Sequence, residues 1–203
     1  PMEVTRTHQL IAERLGQIPG VESVGSCNSV VMDRWDTNNP VFVEGFEVPE
    51  GQLPDVRRMK RVADGYFETM QIPLVAGRTL EWRDSYELNR VVMITENFAR
   101  EYWDSPADAL GKRVSSGIGP GNWYEIVGVS GNVHDDGLDS DPVAVLYWPM
   151  MQSDIWSGLP SETDEITTHR SMNYVIRSSR VGSPDFLAQV RQAIWAVNPN
   201  QPL

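Results

Sequence analysis

Three histidines (His8, His134 and His169) and one cysteine (Cys27) are the side chains best suited to metal binding or nucleophilic chemistry. A zinc site needs ligands at short fixed spacings, or preformed in space. No His-x-x-x-His, Cys-x-x-Cys or Glu-x-x-His pattern occurs, so surface histidines are the expectation. The segment from His134 to Asp141 concentrates carboxylates, and hard cations such as calcium take several oxygen ligands. It lacks the Asp-x-Asp-x-Asp-Gly alternation and a downstream bidentate Glu, so it reads as a solvated loop after a strand. Gly117, Gly119 and Gly121 would suit a phosphate cradle only if a helix N-terminus followed. Trp123-Tyr124-Glu125-Ile126-Val127 is strand-like instead, so a hairpin loop is expected. Gly25-Ser26-Cys27-Asn28-Ser29 does not form a Gly-x-Ser-x-Gly elbow, and its strand context favours a buried, inert thiol. No catalytic, cofactor-binding or metal residue is assigned, and the chain reads as not an enzyme.

One grouping remains. Trp148, Met150, Met151 and Trp156 crowd together, and exposed they would form a partner surface. The other reading of the same residues is core packing.

These residues sit in a chain of 203, with 40% hydrophobic and 9% aromatic residues. That is enough apolar material for a real core in one large domain or two small subdomains. The formal net charge of -11 disfavours nucleic-acid binding and docking on anionic lipid. With one cysteine no internal disulfide is possible, and no run of about 18 apolar residues spans a membrane. No signal-peptide pattern opens the chain. Both ends are abrupt and suggest cuts inside a longer protein.

Leu10, Ile11, Leu15 and Ile18 share a helical face that Pro19-Gly20 terminates. Strands are expected over 21–31, 41–48 and 55–63, the last with a charged face from Arg57, Arg58, Lys60 and Arg61. Asp64 is placed to cap a short helix to Met70. A buried strand at 90–95 leads into a helix to Trp103. Segments 112–116 and 124–133 read as a hairpin, 143–150 as a strand, and 151–170 as a long, mobile loop. A strand at 173–178 precedes a helix capped by Ser183 with Pro184 at its first position. Phe186, Leu187, Val190, Ile194 and Val197 form its apolar stripe. The order is α+β rather than a regular βαβ series.

Five segments together resemble the periplasmic core domain of MacB-type ABC transporter permeases, within the FtsX-like permease group. They are Gly65-Tyr66-Phe67-Glu68-Thr69-Met70-Gln71-Ile72-Pro73-Leu74-Val75-Ala76-Gly77-Arg78, Val91 to Arg100, Pro106 to Val114, Tyr124 to Val133, and Val190 to Pro202. The branch most similar is that of duplicated permeases with no ATPase on the same chain. Gln71 stands where the family has Gly, and Trp103-Asp104-Ser105-Pro106 replaces a Phe-Pro-Gly turn.

The resemblance implies a porter-like βαβ subdomain from residues 1–76 and 144–203, with an inserted strand-rich, Sabre-like subdomain at 77–143. It also implies a parent protein anchored in the membrane, with this domain on the extracytoplasmic, periplasmic side of the bacterial inner membrane. Its partners would be a sister permease domain or a periplasmic protein, with a separate or cytoplasmic ATPase. In that setting the domain couples transmembrane motion to substrate handling or partner binding. A ligand-sensing module and an unrecognised hydrolase are the alternatives. The family has a strand before the first helix and another after the last, so an open sheet edge that pairs with another chain is also expected.

Overall fold

The structure is a computed structural model that describes residues 1–33, 37–153 and 166–202, and the backbone of 156–157. It opens with helix α1 (Met2–Gly16), followed by strands β1 (Val21–Cys27), β2 (Asn38–Val43) and β3 (Val56–Val62). Helix α2 (Tyr66–Met70), strand β4 (Leu74–Gly77) and helix α3 (Trp82–Tyr86) lead to β5 (Val91–Thr95) and α4 (Glu96–Tyr102). A 3-10 turn (Pro106–Ala109) precedes β6 (Arg113–Gly117), β7 (Tyr124–Ser130) and β8 (Val145–Pro149). Short strands β9 (Met151–Ser153), β10 (Trp156–Ser157) and β11 (Ile166–Thr168) come before β12 (Asn173–Ser178) and α5 (Pro184–Val197).

Six strands pair in a closed cycle, β2-β3-β8-β5-β7-β6 and back to β2. The cycle is mixed: β3 runs parallel to β8 and β5 to β7, and the other pairs are antiparallel. Closure removes free edges, and a barrel this small is filled by its own side chains. All six strands feed one cluster, with Val41, Met59, Ile94, Val114, Ile126 and Trp148 among its members. Phe98 and Ala99 of α4 complete it. Tyr124 meets Trp148 edge-on at 4.8 Å, and the Trp148 indole N–H points at the Met59 sulfur, 2.8 Å away.

The strict two-residue period of a strand sends alternate side chains to opposite faces. In β5, Val92 and Ile94 enter this cluster, while Val91 and Met93 face a second one with Tyr66, Phe67 and Leu80. In β8, Leu146 and Trp148 point in, and Val145 and Tyr147 point out under the same cover. Both faces are therefore buried, which is why these strands read as continuous apolar runs.

A two-stranded antiparallel ribbon, β1–β12, lies beside the ring and joins its ladder at a single pair, Cys27 with Val62. Helices α1 and α5 cover one face of the ribbon through Ile11, Leu15, Ile18, Phe186 and Ile194. Backbone contact reinforces the junction. A Cβ on Gly25 would lie 2.5 Å from Tyr66 Cα, and one on Gly65 would lie 2.3 Å from the Val24 carbonyl oxygen. Gly65 also has a φ of +78, open to glycine at little cost. The Arg177 guanidinium ties β12 to the same helix by donating to the Thr69 carbonyl, 2.8 Å away. Among the described residues β12 pairs only with β1, so its outer edge is open.

Several expectations are adjusted. β1 stops at Cys27 rather than 31, and β2 runs from Asn38 to Val43 rather than 41 to 48. The cap position of α2 is Gly65 in a left-handed conformation, with no side-chain cap from Asp64. Leu187 and Leu10 are 49% and 40% exposed, because the helices cover only one face of a narrow ribbon. The 151–170 stretch carries β9 and β11, paired with each other, and β10, paired parallel to β6. Residues 154–155 and 158–165 lie outside the described residues. The ring takes strands from all three segments expected as subdomain pieces: β2 and β3 from 1–76, β5 to β7 from 77–143, and β8 from 144–203.

Candidate functional site

Trp148, Met150 and Met151 are fully buried and present no surface to a partner here. Trp148 sits on the central strand β8 and fills the ring core, and Met150 and Met151 are buried where the chain passes from β8 into β9. The Trp156 side chain lies outside the described residues. Cys27 is buried, and burial pushes its thiol up to about 12, so it stays protonated and a poor nucleophile near neutrality.

His8 is buried against the ribbon. Its Nε2–H donates to the Arg170 carbonyl at 3.2 Å, leaving Nδ1 to accept from the Tyr174 hydroxyl at 2.6 Å. The neutral ring satisfies both bonds, and burial lowers its pKa. Burial, aided by the Arg61 charge, also lowers His169 to about 4. His134 Nδ1 lies 2.8 Å from the Ser140 carbonyl, within its own loop. Among the described residues no three of His, Cys, Asp and Glu converge as metal ligands. The 117–122 segment links β6 to β7, and the Gly121 N–H donates to Ser115 Oγ at 3.2 Å.

The acidic loop is not simply solvated. Asp135 is buried and sits 2.7 Å from Lys60 Nζ and 2.8 Å from Arg58 Nη1. Arg58 also reaches Asp136 at 2.7 Å, and Lys60 donates to the Ser29 carbonyl at 3.2 Å. On β3 the even positions Arg58, Lys60 and Val62 face this loop, and Arg57 on the opposite face pairs with Glu101 of α4 at 2.5 Å. The charged face expected for β3 is therefore two faces with two sets of carboxylates. Buried charge of this kind is tolerated only when paired. A Lys two residues after an Arg on a strand that also carries Met59 and Val62 was the available signal.

The matched family segments serve the same structural purpose. Arg78 grips the buried Asp84 of α3 with two parallel bonds of 2.7 and 2.8 Å. Burial alone would raise Asp84; the Arg78 fork and the Glu81 N–H outweigh it and hold the carboxyl below the usual range. Asn97 Nδ2 donates to the Pro142 carbonyl at 2.8 Å and its Oδ1 accepts from the Phe98 N–H at 2.9 Å, while Asn132 Oδ1 accepts from the Asn97 N–H at 2.8 Å.

One surface stands apart. The β2–β3 and β6–β7 connections meet at one end of the ring. There Phe46 is 44% exposed, Leu53 55%, Val56 56% and Ile118 50%. Phe46 stacks edge-on against Tyr102 at 5.0 Å and separates two clefts. One, of 410 Å³, is lined by Phe42, Phe46, Val48, Pro120 and Trp123. The other, of 230 Å³, is lined by Val41, Val43, Phe46, Leu53, Pro54 and Tyr102. Glu44, Glu47 and Asp55 line these clefts, and the exposed Glu50 lies on the same connection. Glu44 is paired with Arg113, whose bonds lower its pKa, and Asp55 with Arg57.

Solved structures that share this fold include three bacterial transporter domains. The periplasmic region of MacB from Actinobacillus actinomycetemcomitans has a TM-score of 0.57 at 16% identity, covering 92% of this chain and 72% of that one. A domain of a putative permease from Porphyromonas gingivalis has a TM-score of 0.53 at 17% identity, covering 89% and 71%. The extracellular domain of the noncanonic ABC-type transporter YknZ from Gram-positive bacteria has a TM-score of 0.52 at 16% identity, covering 94% and 81%. No curated protein matches. The family model for the MacB-like periplasmic core domain matches residues 4–194, nearly the whole chain, and the chain belongs to that family.

Proposed function

We propose that this chain is the extracytoplasmic part of an ABC transporter permease and works as a mechanical element without a reaction centre of its own. The observation that carries this is the family match across residues 4–194, together with a fold shared with periplasmic and extracellular permease domains. The architecture supports it. A closed ring with both faces of its central strands buried resists deformation, and the ribbon with its two helices is a second unit that joins the ring's ladder at one pair and packs on it around Tyr66 and Phe67. Units joined in this way can transmit movement as rigid bodies. In this reading the ribbon and the helices α1 and α5 receive motion from the membrane, and the ring carries it to a sister domain or a periplasmic protein. The ATPase that drives it is a separate or cytoplasmic subunit.

No helix among the described residues is long and apolar enough to cross a membrane, so attachment falls to other parts of a parent protein. The test is topological. A tagged parent protein should sediment with the inner membrane, and protease added to spheroplasts should cut within this domain. The isolated chain should release no phosphate from ATP. Cleavage only after lysis, or nucleotide turnover by the pure chain, ends the proposal.

A further inference from the structure

The loop end of the ring presents a half-exposed aromatic ridge between two clefts. Of the clefts on either side of Phe46, the one walled by Phe42, Val48 and Trp123 is largely apolar, and the one beside Leu53 mixes apolar walls with Glu47, Gln52 and Asp55. Phe46 is itself anchored, held edge-on by Tyr102 at 5.0 Å and by Trp103 at 6.1 Å, so its half-exposed ring is a fixed ridge. Aromatic anchors beside preformed clefts are the usual centre of a binding surface.

The rim decides the charge of the occupant. Glu47 and Glu50 stand in no ion pair among the described residues, and both are exposed. Arg113 and Arg57 are already committed to carboxylates at the same rim, Glu44 for the first and Asp55 and Glu101 for the second. Lys112 adds a further cation near Glu44, but the carboxylates still outnumber the cations, so the surface offers one largely apolar and one mixed cleft inside a border of surplus negative charge. Anionic lipid and acidic segments are repelled. A second copy of this end would bring the same carboxylates face to face, which costs free energy.

We propose that this end binds a cationic amphipathic segment of a partner protein. Its apolar side chains enter the cleft walled by Phe42, Val48 and Trp123, and its Lys or Arg residues meet Glu47, which lines both clefts, and the exposed Glu50 on the same connection. The inference sharpens the partner-binding part of the function proposed above. It rests on that reading only for its biological setting, because binding by the chain in solution is independent of membrane topology.

The probe is a short amphipathic peptide of Leu and Lys, compared with the same pattern in Leu and Glu. Both are titrated into the full 203-residue chain by calorimetry, and the contact is mapped by amide chemical shifts. The Leu/Lys peptide should bind and perturb residues 42–54 and 117–123, and the Leu/Glu peptide should not bind. Phe46→Ser should weaken binding about tenfold, and the double variant Glu47→Lys/Glu50→Lys should do the same. Raising the ionic strength from about 0.05 to about 0.5 M should weaken it several-fold. Asp139→Asn/Asp141→Asn, which neutralises exposed carboxylates on another loop, should change nothing. Unchanged melting of Phe46→Ser confirms that the fold is intact. Four results overturn the proposal: equal binding by wild type and Phe46→Ser, shifts centred on 134–141, preference for the acidic peptide or anionic vesicles, and self-association abolished by Phe46→Ser.

Discussion

The ring and the ribbon are built from similar strands but protect them differently. In the ring, each strand has partners on both sides, and β5 and β8 are buried along their whole length. In the ribbon, β12 has one partner among the described residues, and all of its positions are half-buried or exposed. Closure makes the ring indifferent to its neighbours, while the ribbon depends on α1 and α5 for cover and keeps an edge that another strand can extend. The contrast places rigidity at the ring and adaptability at the ribbon, which is the arrangement the proposed transmitting role needs.

The comparison breaks most decisively at the ring core. Trp148→Ala should cost about 3–5 kcal/mol, because it removes the largest buried side chain and leaves a void among six strands. In hydrogen exchange, protection should fall in ring and ribbon together. Ile194→Ala, in α5, should cost about 2–3 kcal/mol and release mainly the ribbon amides. Equal loss of protection everywhere in both variants would show a single cooperative unit and remove the distinction.

A comparably large effect is expected outside the ring wall. Asp135→Asn keeps the shape but takes from Lys60, 2% exposed, the carboxylate charge 2.7 Å away. The expected cost is about 3 kcal/mol in denaturant unfolding. Replacing Lys60 by Met together with Asp135 by Leu should recover most of it, since the penalty lies in the orphaned charge. A double variant as weak as the single one would show that the pair contributes more than charge cancellation.

The smallest effect sharpens the ribbon side. His8 and His169 both have lowered folded-state pKa values, so protonation favours the unfolded chain. Their contribution is complete above pH 6.5 and is lost as pH falls through the interval toward about 4. Thermal melting should therefore decline over that range, with ribbon amides losing protection first. His169→Gln should flatten part of the decline, and an unchanged profile would remove His169 from the account.

Local chemistry made several elements legible. Ser183 before Pro184 marks the start of α5, and the structure shows Ser183 Oγ accepting from the Phe186 N–H at 3.2 Å. β12 runs over the expected residues 173–178, and β3 differs from expectation by a residue at each end. Hidden from such reading were the closure of the ring and the exposed end around Phe46. The first requires Val41–Val43 to pair with Val114–Ser116, and no local signal specifies a partner so far along the chain. The second arises because two connections distant in sequence meet at one end of that ring. Trp148, Met150 and Met151 show the converse: their types suit a sticky surface as well as a core, and only position decides between them.

By itself, then, the sequence determined the periodicities, the Ser183 cap of α5, the acid excess and the ordered motifs that carry the family, because each depends on neighbours a few residues away. Only the tertiary structure decided which strands close into a ring, which charges on β3 are buried against Asp135, and which aromatic side chains reach solvent. Those outcomes depend on long-range pairing and on what is left to cover each face, and the free energy of burial is settled only once the whole chain has packed.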